Sequence, residues 1–154
     1  WGTAPRQALA RLHVLAAGGD DADPELLGRP RGGAAVAQRL DVLVEALGAP
    51  TTAPAVVVAA VVHGELLALE LFGPDTGVVA RAAGRLVLLE RGVDPKGVTA
   101  PDVGHLAGGY AEAAAAYRAG DVGTWVRHCC AALVTGSEEG LVACDVVKGR
   151  PVQK

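Results

Sequence analysis

The stretch APAVVVAAVVHGELLALEL, from Ala53 to Leu71, decides the fold of this chain. It is apolar almost all round, and a helix of that kind belongs in the middle of a bundle. The valine run Val56-Val57-Val58 also suits a strand. Ala59-Ala60, the following His-Gly-Glu-Leu-Leu-Ala-Leu and the length of the segment favour a helix instead. Thr51 or Thr52 is positioned to cap it, with a proline in its first turn. The uninterrupted apolar run, Ala53 to Val62, is too short for a membrane span of about 20 residues.

Working outward, the segments on either side read as further helices. Pro5 to Ala17 carries Leu9, Leu12, Leu15 and Ala16 on one face. Gly18 to Pro24 breaks that helix, and Glu25 to Gly33 shows no regular period. Ala34 to Leu47 is amphipathic, with Val36, Leu40, Leu43 and Leu47 along one side, and Gly48 and Pro50 end it. Downstream, Gly73 to Gly77 is a turn and Val78 to Arg91 a helix closed by Gly92. Pro101 to Ala107 is a short helix, and Tyr110 to Ala119 an alanine-rich one ended by Gly120. Asp121 or Thr124 caps a last helix from Trp125 to Val134. Gly136 to Gly140 is expected to interrupt or end it, with Leu141 to Val147 as its continuation. The expectation is one all-α domain over residues 1–154, a compact bundle of about six to seven helices. Hydrophobic residues make up 51% of the chain and aromatics 3%, so the core must be packed from Ala, Val and Leu.

Net charge is −3 and the 14 basic residues are scattered, which excludes the electrostatic footprint of a nucleic-acid binder. No signal peptide is visible, and the lack of methionine places the first residue after the true start. The bias towards Ala, Gly, Val and Arg suggests a bacterial, GC-rich genome. Cys144 lies 14 residues beyond Cys130 on the same helical run, about 21 Å away at helical rise. Cys129, Cys130 and Cys144 are therefore read as reduced, in a cytoplasmic protein. A metal site from His128 and these cysteines would have poor ligand geometry, because neighbouring helical residues point about 100° apart. His13, His105 and His128 have no partner at ligand spacing. The acidic run Asp20-Asp21-Ala22-Asp23 reads as a solvated turn rather than a cation site, and Gly18-Gly19 and Gly32-Gly33 lack the Lys-Ser/Thr of a phosphate loop. Asp75-Thr76-Gly77 matches the aspartic-protease triplet, but that chemistry needs two aspartates in a β-rich fold.

The segment ELFGPDTGVVAR, Glu70 to Arg81, joins the buried helix to the next one through a glycine-containing loop. The amino end of the second helix presents free N–H groups and a positive partial charge, the makings of an anion site. Arg81 and Arg85 are four apart and share a face. A phosphate, Glu70, Asp75 or Glu90 would relieve their repulsion.

This element resembles, in degraded form, the motif of the Fic (Fido) family, His-Pro-Phe-x-Asp/Glu-Gly-Asn-Gly-Arg-x-x-Arg. Phe72, Gly77 and Arg81 stand in register with it. His63 matches a histidine that family members carry seven residues before the motif histidine, and at that spacing it shares a helix face with position 70. Arg85 to Gly92 looks like the family's post-motif helix, and Tyr110, Gly120-Asp121 and Thr124-Trp125 resemble its later helices, so the likeness covers roughly residues 55–135. It implies a Fic-like fold, with ATP and Mg²⁺ as the cofactors to look for. Glu70 or His63 would be the base, Asp75 the metal holder, and Asp75, Thr76, Gly77, Arg81 and Arg85 the nucleotide and phosphate contacts. The departures are in the chemistry. Glu70 replaces the histidine base and, with an unperturbed pKa of about 4.3, is a weaker one. Pro74 replaces the acid that holds Mg²⁺, Thr76 the asparagine, and Val78 the first arginine. Such losses compound.

Thr135 to Gly140 matches the family's inhibitory string Ser/Thr-x-x-x-Glu-Gly/Asn, whose glutamate pairs with the second motif arginine. Glu25 to Gly33 stands where active relatives keep a target-docking flap. The favoured expectation is a pseudo-enzyme, a binding or assembly module for an unidentified protein partner or a second copy of itself, with weak nucleotide or phosphate binding retained. The alternatives are a divergent transferase moving AMP or another phosphate-containing group from a nucleotide to a protein hydroxyl, and a plain helical interaction domain. Glu70 and Arg81 are expected to border one concave surface, and the reading of this element as a site falls if they lie on opposite faces.

Overall fold

The apolar stretch is a helix throughout. In the structure, a computed structural model describing residues 1–19 and 23–150, α3 spans Ala55–Leu69, and the three valines belong to it. Eight of its residues are buried, spread over more than half of the circumference. The expected threonine cap is absent. Pro54 is the residue before the first turn, and its carbonyl takes the Val57 and Val58 N–H groups. Thr51 instead accepts the Ala53 N–H at 3.1 Å, within the preceding loop.

Around α3, the described residues form six further α-helices and no strand. They are α1 (Pro5–Ala17), α2 (Ala34–Gly48), α4 (Thr76–Glu90), α5 (Pro101–Leu106), α6 (Tyr110–Arg118) and α7 (Val122–Val147). A single 3-10 turn, Gly73–Asp75, links α3 to α4. Helix α3 packs against α2, α4, α6 and α7, with its closest partner α4, so it is the bundle's central rod. The acidic run Asp20 to Asp23 lies mostly outside the described residues, as does the chain end from 151.

Trp125 fastens α7 to α3. It is fully buried, and its indole N–H donates to the Ala60 carbonyl at 2.6 Å. Gly64 makes room for it, since a Cβ there would stand 2.8 Å from the indole nitrogen and 2.9 Å from the Tyr117 ring. Next to Gly64, the Glu65 carboxylate receives two Arg39 N–H groups, at 2.7 and 2.9 Å, and the Tyr117 hydroxyl at 2.6 Å. That network ties α2, α3 and α6 together.

Helix α7 runs unbroken for 26 residues, so the expected interruption at Gly136 to Gly140 does not occur. Those glycines serve a close approach. A Cβ on Gly136 would lie 2.4 Å from the Ala100 carbonyl carbon, and one on Gly140 would lie 2.6 Å from the Val98 oxygen. The Ala100 N–H donates to the Gly136 carbonyl at 3.0 Å. At the other end Asp121 is the cap, accepting the Thr124 N–H at 3.0 Å, while Thr124 sits inside the first turn. The result is a short α5 pressed against α7, with Gly104 over Ala132.

Candidate functional site

The loop between α3 and α4 begins with a strained residue. Glu70 ends α3 with φ +50°, the only non-glycine among the described residues in the left-handed region. Its side chain is exposed and borders neither of the cavities that Arg81 lines. The expected sharing of a face between His63 and position 70 fails because the helix stops at Leu69 and the chain turns there. The expectation that Glu70 and Arg81 border one concave surface is therefore not met.

The rest of the loop is held by structural bonds. Phe72 is buried, and its N–H donates to the Thr76 hydroxyl at 2.9 Å, which makes Thr76 a bracket for the turn. The Asp75 carboxylate lies 3.7 Å from Nε2 of His13 on α1. His13 accepts the Gly28 N–H on Nδ1 at 3.1 Å, so Nε2 carries the hydrogen facing Asp75. Its ring packs on Phe72 with centroids 4.5 Å apart. The Arg31 N–H donates to the Leu71 carbonyl at 2.7 Å, so the irregular segment after α1 lies directly against the loop. Asp75, the expected metal holder, faces a histidine N–H here.

Arg81 looks the other way. Its Nε lies 2.7 Å from an Asp102 carboxylate oxygen on α5, and it lines one cavity with Tyr110. The glutamates of the presumed inhibitory string, Glu138 and Glu139, are exposed on α7, and the partner of Arg81 is Asp102. Gly77 lies beside Arg81, with a Cβ position 3.3 Å from one of its terminal nitrogens. Arg85 is engaged elsewhere, donating to the Gly97 carbonyl at 3.2 Å. There it helps hold a loop centred on buried Asp94, which accepts the Val98 and Thr99 N–H groups and the Thr99 hydroxyl. Burial pushes the Asp94 carboxyl up, but those bonds and the Arg85 charge outweigh it and hold it below the usual range.

Around Arg81 the fold gathers polar groups that sequence spacing kept apart. His63 is buried, with Nε2 2.8 Å from the Tyr110 oxygen. Burial first, then the neighbouring His105, Arg81 and His128, lowers its pKa to about 3. It is therefore neutral, and the phenol donates to it. His105 Nδ1 lies 3.0 Å from His128 Nε2, and burial with the His128 charge lowers His105 to about 4. These two histidines have a partner after all, each other. They stand 23 residues apart on α5 and α7, and no sequence period links the two helices. Among the described residues no three His, Cys, Asp or Glu side chains are placed to hold a metal ion. Burial pushes the Cys129 thiol up to about 12, which leaves it protonated and unreactive.

Two adjoining cavities share Arg81 and His105 as walls. The outer, about 330 Å³, opens between Arg81, Asp102, His105, Leu106 and Tyr110. The inner, about 40 Å³, is lined also by His63, Arg85, Val56, Ala59, Leu88, Cys129 and Leu133.

Comparison with family models, curated proteins and solved structures returns no match. No helix among the described residues is long and apolar enough to cross a membrane. What the site offers chemically is one arginine, one phenol and a neutral imidazole pair converging on a cavity mouth. An arginine and a phenol are groups that suit an anion, and here the arginine is paired with Asp102. The set lacks a nucleophile paired with an accessible base.

Proposed function

We propose that this chain is a degenerate Fic-like domain that works as a non-catalytic binding module, with Arg81 as its retained anion-reading group. The observation that carries the proposal is the dispersal of the chemistry. Glu70, in the position of the base, is exposed at a helix end outside the cavities Arg81 borders. Asp75, in the position nearest the metal holder, faces the His13 imidazole. A base, a metal and a phosphate clamp must meet within hydrogen-bond reach of one reacting group for transfer to occur. Further support comes from His63. Its lone pair is taken by Tyr110, and burial removes it from any incoming hydroxyl.

Calorimetric titration with ATP and Mg²⁺, with Arg81→Ala as control, tests this. Weak ATP binding that Arg81→Ala abolishes, without label transfer from ATP to any protein, is the expected result. Transfer of label by the unaltered chain would overturn it in favour of a divergent transferase. No binding at millimolar ATP would leave a helical interaction domain whose motif residues only pack.

A further inference from the structure

The cation at the cavity mouth is already a carboxylate receptor. Arg81 holds one Asp102 carboxylate oxygen at 2.7 Å, and that carboxylate comes from a six-residue helix, α5, that roofs the space. Asp102 is itself 44% exposed, so it can turn out to water. Tyr110 lines the same cavity as Arg81, and its phenol donates to neutral His63. The inner chamber adjoins these groups; Val56, Ala59, Leu88 and Leu133 make most of its wall, with Arg85 and His63 at its polar side. At about 40 Å³ it takes about three water-sized or methylene-sized groups. The outer cavity, at about 330 Å³, is at the lower end of small-ligand pockets.

We propose that the two cavities beneath α5 form a site for a small monocarboxylate with a short aliphatic tail, and that Asp102 fills its carboxylate position in the free protein. The ligand's carboxylate displaces Asp102 from Arg81, and its tail of about three carbons enters the chamber between Ala59 and Leu133. Arg85, the second arginine of the lining, is held by the Gly97 carbonyl, so Arg81 with a phenol beside it is left to match one negative charge, and the internal carboxylate already in place argues for that headgroup over a phosphate. The site rests on the reading of Arg81 as an anion-binding group; loss of ATP binding alone overturns that earlier reading, and the carboxylate series tests this one separately.

Calorimetry on the full chain with acetate, propionate, butyrate, hexanoate and inorganic phosphate tests it. Asp102→Asn removes the internal competitor while keeping the side chain's shape, and butyrate should bind it about tenfold tighter than the unaltered chain. From acetate to butyrate each methylene should strengthen binding roughly fourfold. Hexanoate should gain nothing, because the chamber is full. Ala59→Val narrows the chamber and should erase the chain-length gain without changing acetate binding. Arg81→Gln should abolish binding while the helical circular-dichroism signal persists. If Arg81→Gln does not fold, Arg81→Lys should weaken all carboxylates by removing the Nε contact. Three results would overturn the proposal: no gain from Asp102→Asn, butyrate binding no better than acetate, or phosphate binding as tightly as butyrate.

Discussion

Glu70 shows how one residue can break a correct local pattern. Its spacing from His63 is right for a shared helix face, and the apolar period up to Leu69 is helical as read. The helix ends one residue too soon for that period to extend to position 70, and the chain leaves in the left-handed region at φ +50°. A glutamate there carries a Cβ that crowds the following carbonyl, at a cost of about 1–2 kcal/mol, and glycine does not. Glu70→Gly should therefore stabilise the fold by about 0.5–1 kcal/mol, after allowing for glycine's looser unfolded chain. The urea midpoint should rise, and the far-ultraviolet spectrum should be unchanged. A fall in the midpoint would mean that the Glu70 side chain makes a favourable interaction that its exposure does not suggest. Arg81 teaches the complementary lesson. Its need for a counter-charge was legible, but neither Glu70, Asp75 nor Glu90 supplies it. Glu90 instead accepts the Gly2 N–H at 3.1 Å, and Asp102 arrives from a helix whose docking no sequence period encodes.

Among the elements, α7 and the segment that leads into α5 decide whether the Arg81 site exists at all. Glycine lowers helix propensity by about 1 kcal/mol, which is why Gly136 and Gly140 read as a stop. Tertiary packing overrides that penalty, because only a glycine lets the 98–101 backbone lie on α7. Gly136→Ala places a methyl within 2.4 Å of that backbone and should destabilise by about 1–3 kcal/mol, with α5 loosened first. Gly123→Ala on the same helix is the control. Its methyl would meet nothing nearer than the flexible end of Arg127, at 3.4 Å, so improved helix propensity should make it neutral or stabilising by up to about 1 kcal/mol. Chemical denaturation of both variants separates close packing from propensity, since propensity alone predicts the same sign for each. The other helices were legible for the opposite reason. Their apolar residues recur at the helical period and face a neighbour, as Leu40 and Leu43 of α2 do.

At the scale of the molecule, the bundle buries imidazoles in a core with few aromatics, and this gives its stability a direction in pH. His63 is at 6.5 in the unfolded chain and about 3 in the fold, and His105 moves from 6.5 to about 4. Between those values the unfolded chain binds protons that the folded chain refuses, so stability falls as pH drops below about 6.5. At about 1.4 kcal/mol for each unit between pH 6.5 and 4, His63 alone removes on the order of 3 kcal/mol, and the half-buried His105 adds a smaller part in the same sense. The carboxylates do not oppose this. Glu65 and Asp94 are held below their ordinary range, so their contribution is full above that range and is also lost on acidification, at lower pH. The chain should therefore lose stability steeply between pH 6.5 and 4.5, before its carboxylates protonate. His63→Leu should be less stable at pH 7, because Tyr110 loses its acceptor, yet show a much flatter dependence over that window. Urea midpoints at half-unit steps from pH 7 to 4.5 measure both. An unchanged slope in His63→Leu would mean that protons enter elsewhere, with the His105–His128 pair the next place to look, through His105→Leu.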